Sequence, residues 1–228
     1  MAMSPIRCVI FDCDGTLVDS ETLCCQALTR VFARFNVEVP LDKVTAQFKG
    51  GKLADILDDA RTMFELNVSL DVLEPLYRSE VKKLFYRHLK AMSGAVTLLD
   101  FLAEWGIEYC VISNGPKDKI EYSLQLTGLL ERFHGRIFSA FDANSWKPDP
   151  DLVMYSAFNM GFLPEECIYV DDTAKGVKAG LSAGIRTYYL ANGFQPNQIQ
   201  DARVTKIEHL EELIALVMDT NKISDKQY

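Results

Sequence analysis

Cys8-Val9-Ile10-Phe11-Asp12-Cys13-Asp14-Gly15-Thr16 decides how this chain is read. The run from Cys8 to Phe11 is short, β-branched and aromatic, which predicts a buried strand, and Gly15-Thr16 predicts the turn that ends it. Two carboxylates, Asp12 and Asp14, then stand at the mouth of that strand. Acids in such a place are costly unless something cationic meets them. At the carboxyl end of a parallel sheet, a metal ion and a substrate usually do so. Turn chemistry is the plain alternative for a pair of acids here.

Outward from that strand, at 6–11, similar runs recur at 107–112, 136–140, 167–171 and 186–190. Helical spacing at 95–105, 117–129, 150–160, 174–183 and 207–218 alternates with them. Strand alternating with helix over short loops predicts an α/β fold, a doubly wound, Rossmann-like parallel sheet covered on both faces. Asp19 to about Lys90 breaks the alternation with three helical segments and no strand. The first starts at an Asp19-Ser20 cap, the second covers 53–66, and the third begins near Pro75 as a first-turn proline. Both ends of this block emerge at the strand ends. It is therefore expected to be an all-helical cap domain, residues 18–90, inserted into a core of 1–17 and 91–222, with hinges near 16–19 and 89–94.

The 228 residues are 48% hydrophobic and carry a formal charge of −8. That balance argues against nucleic acid as a partner but not against an anionic small molecule, because a bound metal would invert the local charge. No apolar run approaches the roughly 20 residues that span a bilayer. No secretory pattern precedes the first strand, so the expectation is a cytoplasmic protein without a membrane partner. The six cysteines form no C-x-x-C pair and are expected to be reduced core residues. The three histidines and the absence of a serine elbow leave zinc and serine-hydrolase chemistry without a pattern.

In a parallel sheet the strand ends lie side by side, so groups distant in sequence converge. The first strand brings Asp12 and Asp14, the second Ser113-Asn114-Gly115, and the fourth Asp171-Asp172-Thr173, while Trp146-Lys147-Pro148 follows the third. Four carboxylates in one crevice repel each other, and a hard divalent cation relieves them; an all-oxygen donor set suits Mg²⁺. The Ser113 hydroxyl, the backbone N–H groups of Asn114 and Gly115, and the Lys147 ammonium could then hold an anion against the metal. Together these are the parts of phosphoryl transfer through a covalent aspartyl-phosphate. Each alone has a bland reading: Ser113 and Asn114 as turn residues, Lys147 as a surface lysine, Asp171-Asp172 as a helix cap. Cys13, between the two acids, is expected to point away from them into a sheet face.

FDCDGTLVDS, VISNG, WKPDP and VDDTAKGVKAGLSAG, in that order, resemble the four motifs of the haloacid dehalogenase superfamily. The helical insert after the first resembles the C1 cap of the β-phosphoglucomutase-like branch. The resemblance implies that Asp12 is the nucleophile and Asp14 the general acid and base. It implies that Ser113, Asn114 and Lys147 hold the phosphoryl group. Asp12, the Asp14 carbonyl, Asp171 and Asp172 would ligate Mg²⁺, with Mn²⁺ or Co²⁺ able to take its place, and Asp172 would be the surer direct ligand. Asp14 sets the chain apart from the dehalogenase and phosphonatase branches, which lack that acid.

The mutases carry a histidine where Cys24 stands and a cap-loop arginine near Leu53. The expected activity is therefore a phosphatase acting on a small phosphorylated metabolite. A sugar-phosphate mutase and a phosphate-sensing protein are the alternatives. Residues outside the motifs (FKG-x-KL, YRSEV, SNGP) imply 6-phosphogluconate or a related sugar phosphate. Lys49 and Lys52 of the cap loop would meet its far end, and the protein is expected to act as a monomer.

Overall fold

A computed structural model describes residues 4–47, 51–192 and 201–225. Six parallel strands form one sheet: β1 (Cys8–Asp12), β2 (Glu108–Ser113), β3 (Ile137–Ser139), β4 (Cys167–Asp171), β5 (Arg186–Leu190) and β6 (Thr205–Ile207), in the order β3-β2-β1-β4-β5-β6. Side chains alternate across it, so two separate cores form. Val9, Phe11, Tyr109, Val111, Ile168 and Val170 enter one. Cys8, Ile10, Cys110, Ile112, Cys167 and Tyr169 enter the other.

Helices α1 (Glu21–Ala33), α2 (Leu41–Gln47), α3 (Leu53–Met63) and α4 (Leu70–His88) separate β1 from the rest of the sheet. Next come α5 (Ala95–Glu104), α6 (Lys117–Leu126), α7 (Ala140–Ala143), α8 (Asp151–Met160), α9 (Ala174–Ser182) and α10 (Glu212–Asp225). Residues of α5, α6 and α10 pack on the first face, those of α7, α8 and α9 on the second. The fold is the expected doubly wound α/β sheet with an all-helical insert. All six cysteines are free and buried, and Cys13 lies in the first core, with Phe11. Among the described residues, no helix is long and apolar enough to cross a membrane.

The two connections to the insert are tied together. Asp19 N–H donates to the Lys90 carbonyl at 3.0 Å, and Met92 N–H to the Leu17 carbonyl at 2.8 Å. Their apolar residues, Leu17 and Val18, join the sheet's first core to the interior of the insert.

Several local expectations are corrected. Pro75 does not start a helix: α4 begins at Leu70 and carries Pro75 inside it. Leu73 and Tyr77, on either side of the proline, are buried, and that packing outweighs the backbone hydrogen bond a proline cannot donate. Ser20 stands at the N-cap position of α1 without capping it, because its hydroxyl is used elsewhere. The helix expected at 207–218 divides into β6 and α10. β6 has three residues at the sheet edge, with Thr205 and Lys206 exposed, and so shows no apolar run. The short helices α2 and α7 were not anticipated either.

Candidate active site

Strand register builds the site first. Asp12 ends β1 opposite Ile112 of β2, and Phe11 stands opposite Val170 of β4. The next residues along those neighbours are Ser113 and Asp171. Lys147 comes from the loop between α7 and α8 and is positioned by Asn114. The Asn114 Oδ1 accepts from the Lys147 backbone N–H at 2.9 Å, and its Nδ2 donates to the Lys147 carbonyl at 3.3 Å. The Lys147 ammonium, buried, then bridges Asp12 Oδ1 at 2.5 Å and Asp171 Oδ2 at 2.7 Å.

Asp171 and Asp172 are both fully buried, yet their carboxylates are used differently. Asp171 Oδ2 accepts from Lys147 and the Tyr169 hydroxyl, and Oδ1 accepts from the Thr173 N–H and hydroxyl, both at 2.7 Å. Asp172 accepts from the Thr16 hydroxyl at 3.0 Å and the Asn192 amide at 3.2 Å. Neither acid caps α9 with its side chain; Thr173 does, accepting from the Gly176 N–H at 3.0 Å.

Asp14 has its own partners. Lys119 Nζ is 2.6 Å from Oδ2, the Ser20 hydroxyl 2.9 Å from Oδ1, and the Ser113 hydroxyl 3.4 Å from Oδ2. Ser113 Oγ also accepts from the Gly115 N–H at 3.1 Å. Burial acts to raise the Asp14 carboxyl, but Lys119 and Ser20 outweigh it and hold the group below the ordinary carboxylate range. Asp12 goes the other way. Burial pushes it up to about 7 against the pull of Lys147, with Asp171 and Asp14 adding to the rise. Burial and the Asp171 charge likewise drive Asp172 well above its usual value.

Burial is the main cause of both rises, and an unbalanced charge count adds to it: four carboxylates face the ammonium groups of Lys119 and Lys147. A divalent cation is the charge that would balance them. Asp12, Asp171 and Asp172 offer oxygens within 4.8 Å of one another, a compact, hard donor set that fits Mg²⁺. Gly15 keeps the approach clear, since a Cβ there would come within 2.3 Å of Asp172 Oδ2.

A cavity of about 630 Å³ lies between this edge and the insert, lined by Asp12, Asp14, Ser113, Asn114 and Lys147. Across it stand Tyr77, Val81 and Phe85 of α4, with Lys52 from the start of α3. Lys52 Nζ sits 4.6 Å from the centroid of the Trp146 ring, next to Lys147 in the chain. Lys49 lies outside the described residues. Sequence reasoning missed Thr16, Lys119, Glu21 and Asn192. Lys119 sits on a helix whose apolar spacing gave no hint of a charge turned inward, and Ser20 had been read as a cap.

Residues 9–190 match the family model described as haloacid dehalogenase-like hydrolase, so the chain belongs to that family and is an enzyme. Among its relatives, the 6-phosphogluconate phosphatase of Escherichia coli K12 is 37% identical over 211 residues, covering 92% of this chain and 94% of that protein. Hexitol phosphatase A of the same strain is 30% identical over 183 residues, 78% of this chain and 81% of that one. A haloacid dehalogenase-family hydrolase of Deinococcus radiodurans R1, solved with bound phosphate and sodium, superposes with a TM-score of 0.75. It is 25% identical and covers 95% of this chain and 96% of its own.

Proposed function

We propose that this enzyme is a Mg²⁺-dependent phosphatase that hydrolyses a small sugar phosphate through an aspartyl-phosphate on Asp12. The observation that carries the reading is one cavity in which Asp12, bridged by Lys147, stands near a second carboxylate, Asp14, with partners of its own. A phosphatase needs both: one carboxylate to take the phosphoryl group, the other to manage protons. Asp12, Asp171 and Asp172, with the Asp14 carbonyl, would hold the metal, which when bound supplies charge stabilisation for the phosphoryl oxygens. Asp12 attacks phosphorus and the bond to the leaving oxygen breaks; that oxygen takes a proton from Asp14, which must acquire one beforehand because Lys119 holds it ionised. The now ionised Asp14 then takes a proton from water, which displaces Asp12 and frees phosphate. Lys147 keeps Asp12 aligned, and Ser113 with the Asn114 and Gly115 amides cradles the phosphoryl group. Asn114 reaches it through the backbone, because its side chain is occupied by Lys147.

The insert, residues 18–90 in this reading, covers the reaction and excludes water from it. The mutase alternative gains nothing from Cys24, a buried thiol bonded to Tyr77 in the cavity wall. Homology with the E. coli enzyme and the cap-loop lysines support 6-phosphogluconate or a close relative as substrate. The free, buried thiols fit a reducing cytoplasm, and the charge of −8 fits a protein that avoids nucleic acid. The test is phosphate release from a panel of phosphorylated metabolites. Release should stop with EDTA and return with Mg²⁺, while Ca²⁺, which prefers more ligands, should restore little. Full activity in metal-free buffer would refute the reading.

A further inference from the structure

One buried carboxyl in the cavity has no part in the chemistry just described. Glu21 opens α1, next to Ser20, whose hydroxyl is spent on Asp14. It lines the same cavity as Asp12, Asp14 and Lys119, and only 5% of the residue is exposed. Its Oε2 has no hydrogen-bond partner among the described residues. A buried acceptor left unsatisfied is unfavourable, and an apolar residue at this position would avoid that cost. The one ammonium that acts on it favourably, Lys119, is already bonded to Asp14 at 2.6 Å. Burial and the charges of Asp172, Asp14 and Asp12 all press against a further negative charge at Glu21.

Other parts of the cavity wall are basic. Lys52 rests on Trp146, and Lys82 lies 5.5 Å from the Tyr122 ring centroid. The cavity is therefore polarised. Among the described residues, it leaves the Glu21 acceptor beside the catalytic acids without a donor; farther out it offers cations not held by an acid.

We propose that Glu21 selects the leaving alcohol: its free carboxyl oxygen accepts a hydrogen bond from a hydroxyl on the carbons next to the phosphoester. The assignment rests on the phosphatase reading and sharpens it. The substrate class is a polyol monophosphate with a hydroxyl beside the phosphoester.

The experiment compares kcat and KM, with Mg²⁺ present, for glucitol 6-phosphate, n-hexyl phosphate and phosphoglycolate. The first two differ mainly in hydroxyls, and the third places a carboxylate next to the ester carbon. Wild type should prefer the polyol ester. In Glu21→Ala the polyol-to-hexyl ratio of kcat/KM should fall roughly 2–10-fold, the range for losing an uncharged hydrogen bond. Glu21→Gln, which keeps an acceptor, should lose less. A readout independent of turnover is the melting temperature of the metal-free protein, which should rise by a few degrees in Glu21→Leu, an apolar residue that leaves no unsatisfied acceptor. Unchanged ratios in Glu21→Ala and Glu21→Gln, or a change confined to the Mg²⁺ concentration needed for activity, would overturn the assignment. Wild type inert toward all three esters and toward 6-phosphogluconate would refute the phosphatase reading, and this assignment with it. Activity with unchanged ratios would refute the Glu21 role alone.

Discussion

At the sheet edge each charged side chain of the site is committed to another. Lys147 spans Asp12 and Asp171, Lys119 holds Asp14, and Thr16 and Asn192 hold Asp172. In the insert, across the same cavity, Lys52 and Lys82 rest on aromatic rings with no carboxylate partner among the described residues, and Glu21 keeps an orphan oxygen. Other charges of the insert are paired: Glu74 and Arg78, also in the cavity wall, meet at 2.7 Å, and buried Glu80 binds Arg34 at 2.9 Å and Arg30 at 3.2 Å. Groups that do chemistry are pre-aligned by one another, because a reaction tolerates little misplacement. Groups that recognise a leaving group stay uncommitted until it arrives.

The sharpest way to break this contrast is at the edge. Asp12→Asn should remove roughly 10⁵–10⁶-fold of kcat, the scale of losing a nucleophile. Asp14→Asn should cost roughly 10²–10⁴-fold, the scale of losing a general acid and base. Steady-state rates measure both, and intact mass after mixing with substrate should show added phosphoryl in Asp14→Asn but not in Asp12→Asn. Equal, modest losses would mean that the two acids do not have separate roles.

The insert should respond less, and through selectivity. Lys52→Ala, made together with Lys49→Ala, should reduce the preference for 6-phosphogluconate over glucose 6-phosphate by about 10–100-fold. Paired kcat/KM values measure it. Retained discrimination would remove the lysines from substrate recognition.

Stability against pH separates the regions again. Asp12, pushed up to about 7, and Asp172, driven up by burial, hold protons in the folded state that the unfolded chain has already released. Such groups favour folding at the acid end, and that contribution is lost as pH climbs from about 4 toward 7. Asp14 and Glu80 are held low and act oppositely, but only below the ordinary carboxylate range. Metal-free protein should therefore melt lower at pH 8 than at pH 5.5, and Mg²⁺ should raise the melting temperature more at pH 8. Scanning calorimetry with EDTA and with Mg²⁺ decides it; a metal effect independent of pH would count against the carboxylate site.

The smallest effect concerns the insert's own cohesion. Glu80→Gln, which keeps shape and loses charge, should cost about 1 kcal/mol, since its arginine partners are half-exposed and screened. That is a fall of about 2–4 °C in melting temperature, with kcat within two-fold of wild type.

The chain's pattern by itself determined the parallel sheet, the two-faced core, the helical insert and the acids at the strand ends. Period-2 and period-3.6 hydrophobicity are local, and a parallel sheet brings successive strand ends together whatever the loops do. Tertiary structure alone decided the partners of those acids. Asn114 was legible as an anion-binding turn residue, but its side chain clamps the Lys147 loop. Ser20 was legible as a helix cap, but its hydroxyl bonds Asp14. Lys119 and Glu21 were not legible at all, since a single charge in a helical stretch reads as a solvated face. Their direction depends on how α1 and α6 pack over the sheet edge, and packing is a property of many residues at once. Pro75 was misplaced for the same reason, since buried Leu73 and Tyr77 carry α4 through it.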